Sequence, residues 1–166
     1  MKTLCEIIKE QVAANYLNLE TAIKTYDRNA LVCGVPAWRY VYHTIHSADK
    51  WFFNPFVFDE PPFHDDGMDN PDNPCKIRLS DTELLEYLEN VKRKTADYLD
   101  GLTDKELYEC PPDCVFTRME LVLMQCRHLN IHVGMLNGQT IERTGKFPVV
   151  VGPNSLDRLK NGLYEE

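Results

Sequence analysis

Two histidines on one predicted helix are the clearest candidates for chemistry in this chain. His128 and His132 are four residues apart, so in a helix their side chains lie one turn apart on the same face. Two neutral imidazoles in that arrangement can chelate a divalent metal such as zinc or nickel, and a third ligand from another helix would complete a three-coordinate protein site. Four apolar residues share this face and predict an apolar environment for both imidazoles: Leu121, Met124, Ile131 and Met135.

The third ligand comes from a small set, because the chain contains five histidines. His43 and His46 lie in an aromatic-rich segment that is predicted to be a helix, and His64 lies in a predicted loop. A helical wheel does not separate His43 from His46, since the two are about 60° apart on a helix that is apolar on several sides. The residue pattern therefore leaves the third ligand open.

The histidine pair differs from the zinc-peptidase motif. No glutamate follows His128 to act as a general base, which disfavours peptidase chemistry of that type. A three-histidine site would leave coordination positions for water or a substrate thiol. Three residues near the histidines in the chain are candidate bases: Asp49, Glu120 and Tyr42. Each has a competing interpretation. Asp49 could be a hydrogen-bond partner of a ligand, Glu120 a helix cap and Tyr42 a core aromatic residue.

Length, composition and charge predict one domain, residues 1–166, and exclude some classes of function. A hydrophobic content of 43% and a charged content of 27% are ordinary for a globular protein. The formal net charge of -8 argues against nucleic-acid binding.

Residues 1–12 carry charges where a signal peptide is apolar, and no segment has the apolar length of a membrane span, so we expect a cytoplasmic protein. The six cysteines are scattered and are expected to be reduced: Cys5, Cys33, Cys75, Cys110, Cys114 and Cys126.

Four long helices are predicted to position the histidines. Apolar residues recur every three or four positions over residues 3–26, and a second helix is predicted over residues 36–54. Capping boxes open a third helix, residues 80–101, and a fourth, residues 117–138. No strand pattern is evident before an apolar run at residues 147–151 in the tail.

The second and third helices are joined by a long connection, residues 55–79, which we term the crossover segment. It contains five of the ten prolines and a run of aspartates, and both features predict a loop. The spacing disfavours a calcium loop starting at Asp65, since Lys76 stands where the closing glutamate is expected, and it favours a solvated acidic loop. Four helices and a long crossover predict an all-α fold, a four-helix bundle.

Two segments resemble signature segments of the DinB-like (DinB/YfiT) metalloprotein superfamily. Residues 38–52, WRYVYHTIHSADKWF, are similar to its second-helix signature, and residues 127–137, RHLNIHVGMLN, to its fourth-helix signature. Their order and separation also match, and the resemblance covers residues 13–151. It implies an antiparallel four-helix bundle, often a homodimer, in which three histidines hold a divalent metal, usually nickel or zinc.

The resemblance also implies the ligands. His128 and His132 match the family's histidine pair, and His43 matches its helix-two ligand through its spacing to Asp49 and Trp51. His46 is the alternative ligand, with a possible role beside the metal or facing substrate if His43 is the ligand.

The family further implies a class of activity. Members with a known activity are mostly thiol-dependent S-transferases and related isomerases, whereas many have no established activity. We therefore expect a metalloenzyme of thiol S-transferase or hydrolase type that acts on a small molecule, with a low-molecular-weight thiol as a further cofactor. A basic patch of Arg39, Arg118 and Arg127 could bind that thiol, or each could be an exposed helix charge. A metal-binding protein without turnover and a structural bundle without metal are the alternatives.

Overall fold

Capping boxes start three of the four α-helices in a computed structural model that describes residues 1–165. In each, a Ser or Thr side chain accepts a hydrogen bond from the backbone N–H three residues on, and a glutamate at that position accepts one from the cap residue's backbone. The helices are α1 (Leu4–Thr25), α2 (Ala37–Trp51), α3 (Asp81–Asp100) and α4 (Arg118–Thr144). The boxes pair Thr3 with Glu6, Ser80 with Glu83 and Thr117 with Glu120.

The fourth helix continues past its predicted end at residue 138. Gly138 lies inside α4, and the helix ends where Gly145 adopts a left-handed conformation with φ 69°. The backbone N–H of Gly145 donates to the carbonyl oxygen of Ile141, as in a glycine C-cap. The predicted end at residue 138 is therefore wrong, because the glycine in the left-handed conformation that caps α4 is Gly145.

A short antiparallel hairpin precedes α2, contrary to the prediction that no strand occurs before the tail. Strand β1 (Leu31–Val32) pairs with β2 (Val35–Pro36). The two residues between them, Cys33 and Gly34, have φ of 50° and 82°, as a type I′ hairpin turn requires. Strands of two residues are too short to produce a recognisable alternation of apolar and polar side chains. In the tail, Pro148 forms an isolated bridge with Tyr164.

The four long helices pack against one another around an apolar interior. α1 contacts α3 and α4, and α2 also contacts α3 and α4. Each helix contributes a fully buried aliphatic side chain, for example Leu19, Ile45, Leu84 and Leu129. The fold is thus mostly helical, as predicted, and the packing of α2 on α4 brings the histidines of the two helices to one interface.

The crossover segment contains no helix or strand, as its prolines and aspartates predicted. A 3-10 helix lies in the next connection, Glu106–Tyr108, and another in the tail, Leu156–Asn161. All six cysteines have free thiols, in agreement with the prediction. Within residues 1–165, none of the helices combines the length and the apolar character that a lipid bilayer requires.

Candidate metal centre

Three histidine nitrogens converge between α2 and α4. Nε2 of His128 lies 3.0 Å from Nε2 of His43 and 3.0 Å from Nε2 of His132. The three rings meet edge to face, with centroids 4.5–5.0 Å apart and interplanar angles of 73–83°. The nitrogen ends of the three imidazoles therefore face one small volume, the arrangement that metal coordination requires.

These three residues are the predicted ligands, and His46 is not among them. Nε2 of His46 lies instead 2.5 Å from a carboxylate oxygen of Glu60, and its ring stacks on that of His64. The helical wheel could not separate His43 from His46, because the answer depends on which face of α2 packs against α4. That the three converging histidines bind a metal remains a prediction.

The tautomer of His43 is set by a backbone carbonyl. Nδ1 of His43 lies 2.6 Å from the carbonyl oxygen of Asp69, which can only accept a hydrogen bond. Nδ1 therefore carries a proton, and in the neutral tautomer of the ring the lone pair lies at Nε2. Metal-binding histidines commonly donate their second ring nitrogen to a carbonyl in this way.

Hydrogen bonds among the three rings do not satisfy all the converging nitrogens. With a lone pair on Nε2 of His43, His128 must donate a proton to it, or two lone pairs face each other at 3.0 Å. If His128 donates to His43, its Nε2 no longer accepts a proton from His132 at the second 3.0 Å contact. A cation interacts favourably with all three lone pairs at once. The donor set therefore suits a divalent metal better than a hydrogen-bonded cluster.

The nitrogen separations also agree with metal coordination. Two nitrogens at about 2.0–2.1 Å from zinc are about 2.9 Å apart at right-angle positions and about 3.3 Å apart at tetrahedral ones. The observed 3.0 Å lies within that interval. The Nδ1 atoms of His128 and His132 are buried without a hydrogen-bond partner within residues 1–165, so His43 is the ligand whose orientation is best supported.

The environment keeps two of the rings uncharged. Burial, together with the neighbouring His43 and Arg127, lowers the pKa of His128 to about 4. Burial and the proximity of His128 and His43 lower the pKa of His132 to about 3. At neutral pH both imidazoles are therefore in the deprotonated form that binds a metal.

The histidine pair lies at the border between core and surface, which corrects the predicted apolar face. Leu121 is fully buried, but Met124 and Met135 are half-buried and Ile131 is 54% exposed. The buried arc of α4 is rotated away from Met124, Ile131 and Met135. It contains Leu121, Val122, Gln125, Leu129, His132, Val133 and Leu136. His132 is buried, whereas His43 and His128 are half-buried.

Arg39 holds the part of the crossover segment that orients His43. Its buried guanidinium donates to the carbonyl oxygens of Met68, Asn70 and Asn73 at 3.4, 2.8 and 3.0 Å. Asp69, whose carbonyl accepts from His43, lies between the first two. Arg39 is therefore a buried positioning residue and not an exposed helix charge. Its contacts span about 30 residues of the chain, a separation at which local sequence patterns carry no signal.

The other candidates from the sequence have structural partners. Asp49 accepts hydrogen bonds from Tyr87 and Lys94 at 2.9 and 2.6 Å, and the Tyr42 hydroxyl lies 2.6 Å from Nδ1 of His64. Glu120 completes the capping box of α4. Arg118 donates to backbone carbonyls of the preceding connection, whereas Arg127 is exposed.

A groove of ≈ 330 Å³ lies between α1 and α3, away from the converging histidines. Its floor includes Val12, Tyr16 and Leu99, and Lys9 and Lys92 lie at its rim. Both lysines already pair with carboxylates, Lys9 with Asp100 and Lys92 with Glu20 and Glu89. Arg93 also lines the groove and donates to Asn90, but none of these basic groups lies beside the histidines.

Comparisons of the chain with protein-family models, curated proteins and solved structures give no match.

Proposed function

We propose that this chain is a DinB-like metalloprotein that binds one divalent ion, nickel or zinc, through His43, His128 and His132. The observation that carries the proposal is the convergence of three Nε2 atoms with two contacts of 3.0 Å. The pairwise packing of the four long helices is consistent with the antiparallel bundle that the resemblance implies. Homodimerisation is a further expectation from the resemblance, and sedimentation equilibrium measures it directly.

We infer that the metal centre serves a small-molecule reaction of thiol S-transferase or hydrolase type. When bound, a divalent ion supplies Lewis acidity, which lowers the pKa of a water or thiol that it contacts. The protein contributes three uncharged ligands, so the full positive charge of the ion is retained. Two of the proposed ligands, His43 and His128, are half-buried, which supports a site at the border of the core rather than deep within it.

A metal-binding protein without turnover is the second candidate, and two observations favour it. The three candidate bases are engaged in structural hydrogen bonds, Asp49 with Lys94, Glu120 in a helix cap and Tyr42 with His64. The groove between α1 and α3 lies away from the histidines. Two activity assays separate the candidates: transfer of a low-molecular-weight thiol to an electrophile, and hydrolysis of activated esters. An enzyme shows activity in the metal-loaded protein that the His128→Ala variant lacks, whereas a binding protein shows no such difference.

Elemental analysis of protein purified without a histidine tag tests the proposed ligands. His43→Ala, His128→Ala and His132→Ala are each expected to lose about one metal equivalent relative to the wild type, because two remaining imidazoles hold the ion weakly. Asn130→Ala is the matched control, since Asn130 is exposed on α4 between the two histidines. Retention of the wild-type metal content in all three histidine variants would contradict the proposal.

A further inference from the structure

The five histidines of this chain form two clusters, and the second cluster does not share a residue with the first. His46 of α2 meets Glu60 and His64 of the crossover segment. Glu60 and His64 are four residues apart in a segment without regular structure, so no helical periodicity explains their meeting. One ligand atom from each of the three residues lies within 4.8 Å of the other two.

The contacts within this second cluster are centred on one carboxylate oxygen. Oε2 of Glu60 lies 2.5 Å from Nε2 of His46 and 3.6 Å from Nδ1 of His64. The two imidazole rings stack with their centroids 4.9 Å apart and an interplanar angle of 19°. Two imidazole nitrogens thus lie near the same carboxylate oxygen, and two histidines with one carboxylate are a common ligand set for zinc.

Burial is graded across the cluster. The side chains of His46 and His64 are 3% and 12% exposed, whereas that of Glu60 is 41% exposed. The two nitrogens therefore lie in the interior and the carboxylate lies at the surface, which leaves a path for an ion from solvent.

We propose that His46, Glu60 and His64 form a second divalent-metal site, of zinc type, which fastens the crossover segment to α2. The ligand charge of minus one partly neutralises the ion, and the neutral imidazoles complete a set of three protein ligands. This site is independent of His43, His128 and His132, because the two sites have no ligand in common.

The neighbours of the cluster define what must rearrange when an ion binds. The Tyr42 hydroxyl lies 2.6 Å from Nδ1 of His64 and must give up that contact. The proton that His46 shares with Glu60 must move from Nε2 to Nδ1, so that Nε2 presents a lone pair to the ion and the ring stays neutral. Lys50 lies 3.5 Å from Oε1 of Glu60, the oxygen that does not face the imidazoles, so it can remain in place.

Metal titration of chelator-treated protein, with zinc measured against a chromophoric competitor, tests this second site. The wild type is expected to bind two equivalents, His128→Ala one, His64→Ala one, and the double variant none. Glu60→Gln preserves the shape of the side chain and is expected to weaken one of the two equivalents by at least about tenfold. Asp59→Asn is the matched control, since it makes the same chemical change at the adjacent exposed residue.

The outcomes separate the two metal sites. Suppose that the wild type binds a single equivalent, which is lost in His128→Ala and unaffected by His64→Ala and Glu60→Gln. This result overturns the second site, and His46, Glu60 and His64 are then a hydrogen-bonded cluster. A single equivalent that is lost in His64→Ala and kept in His128→Ala supports the second site and overturns the first. Circular dichroism of each variant establishes that the helices are intact. Zinc is also expected to slow proteolysis within the crossover segment, and this result supports the attachment of the segment to α2.

Discussion

Nδ1 of His43 lies 2.6 Å from the backbone carbonyl oxygen of Asp69, 26 residues further along the chain. This contact makes the orientation of a helical side chain depend on a segment that has no helix or strand. The segment is in turn held by the guanidinium of Arg39, which lies one helical turn before His43 on α2. Helix α2 therefore carries both a candidate ligand and the group that positions that ligand's partner.

The Arg39→Met variant is expected to bind metal more weakly. Without the guanidinium, the carbonyls of Met68 and Asn70 lose their donor, and the carbonyl of Asp69 is no longer held against His43. Loss of such an orienting partner lowers metal affinity by about 10–100-fold. Competition titration with a chelator measures this, and Arg127→Met, which removes an exposed arginine of α4, should leave the affinity unchanged. Equal affinities in the two variants would show that the segment does not orient His43.

Metal binding is expected to raise the melting temperature. At a free metal concentration 100-fold above Kd, binding to the native state contributes about 2.7 kcal/mol, and a chain of this length then melts about 5–10 °C higher. His128→Ala removes the contribution of the three-histidine site, whereas Asn130→Ala retains it. Differential scanning fluorimetry with and without nickel measures the change, and an undiminished shift in His128→Ala would rule out His128 as a ligand.

The metal-free protein is expected to lose stability as the pH falls below about 6.5. His128 and His132 have pKa values of about 4 and 3 in the native state, against 6.5 for a free imidazole. Between these pKa values the unfolded chain binds more protons than the native state, so acid favours unfolding. Above about pH 6.5 neither state protonates these imidazoles, and their contribution to the free energy of unfolding no longer changes with pH. Urea unfolding at roughly pH 5 and pH 7 measures the difference. The loss of unfolding free energy between about pH 7 and pH 5 should be smaller in His132→Gln than in the wild type. An equal loss in the two proteins would assign the pH dependence to other groups.

Two glycines of α4 are expected to respond to alanine in opposite directions. Gly145 has φ 69°, where alanine is strained by about 1–2 kcal/mol. Gly138 lies inside the helix with no atom within 4 Å of an added Cβ, so alanine there stabilises by about 0.5–1 kcal/mol. Chemical denaturation of the two variants measures both changes, and each is the control for the other. Destabilisation by Gly138→Ala would place the end of the helix at residue 138, as the sequence predicted.

Local interactions explain which features were predictable. The capping boxes Ser80–Glu83 and Thr117–Glu120 connect residues three positions apart, so the starts of α3 and α4 could be read directly. The spacing of His128 and His132 likewise places them one turn apart in any α-helix. These features depend on backbone geometry within one or two turns, and the rest of the fold does not alter them.

Long-range packing determined the remainder. The choice of His43 over His46 depends on which side of α2 faces α4, and the periodicity of an extensively buried helix carries no such information. The contacts of His43 with Asp69 and of His46 with Glu60 join α2 to the crossover segment, whose path is set by Arg39 and by packing. A sequence pattern reports the face that a residue occupies, but the identity of its partner is a property of the assembled chain.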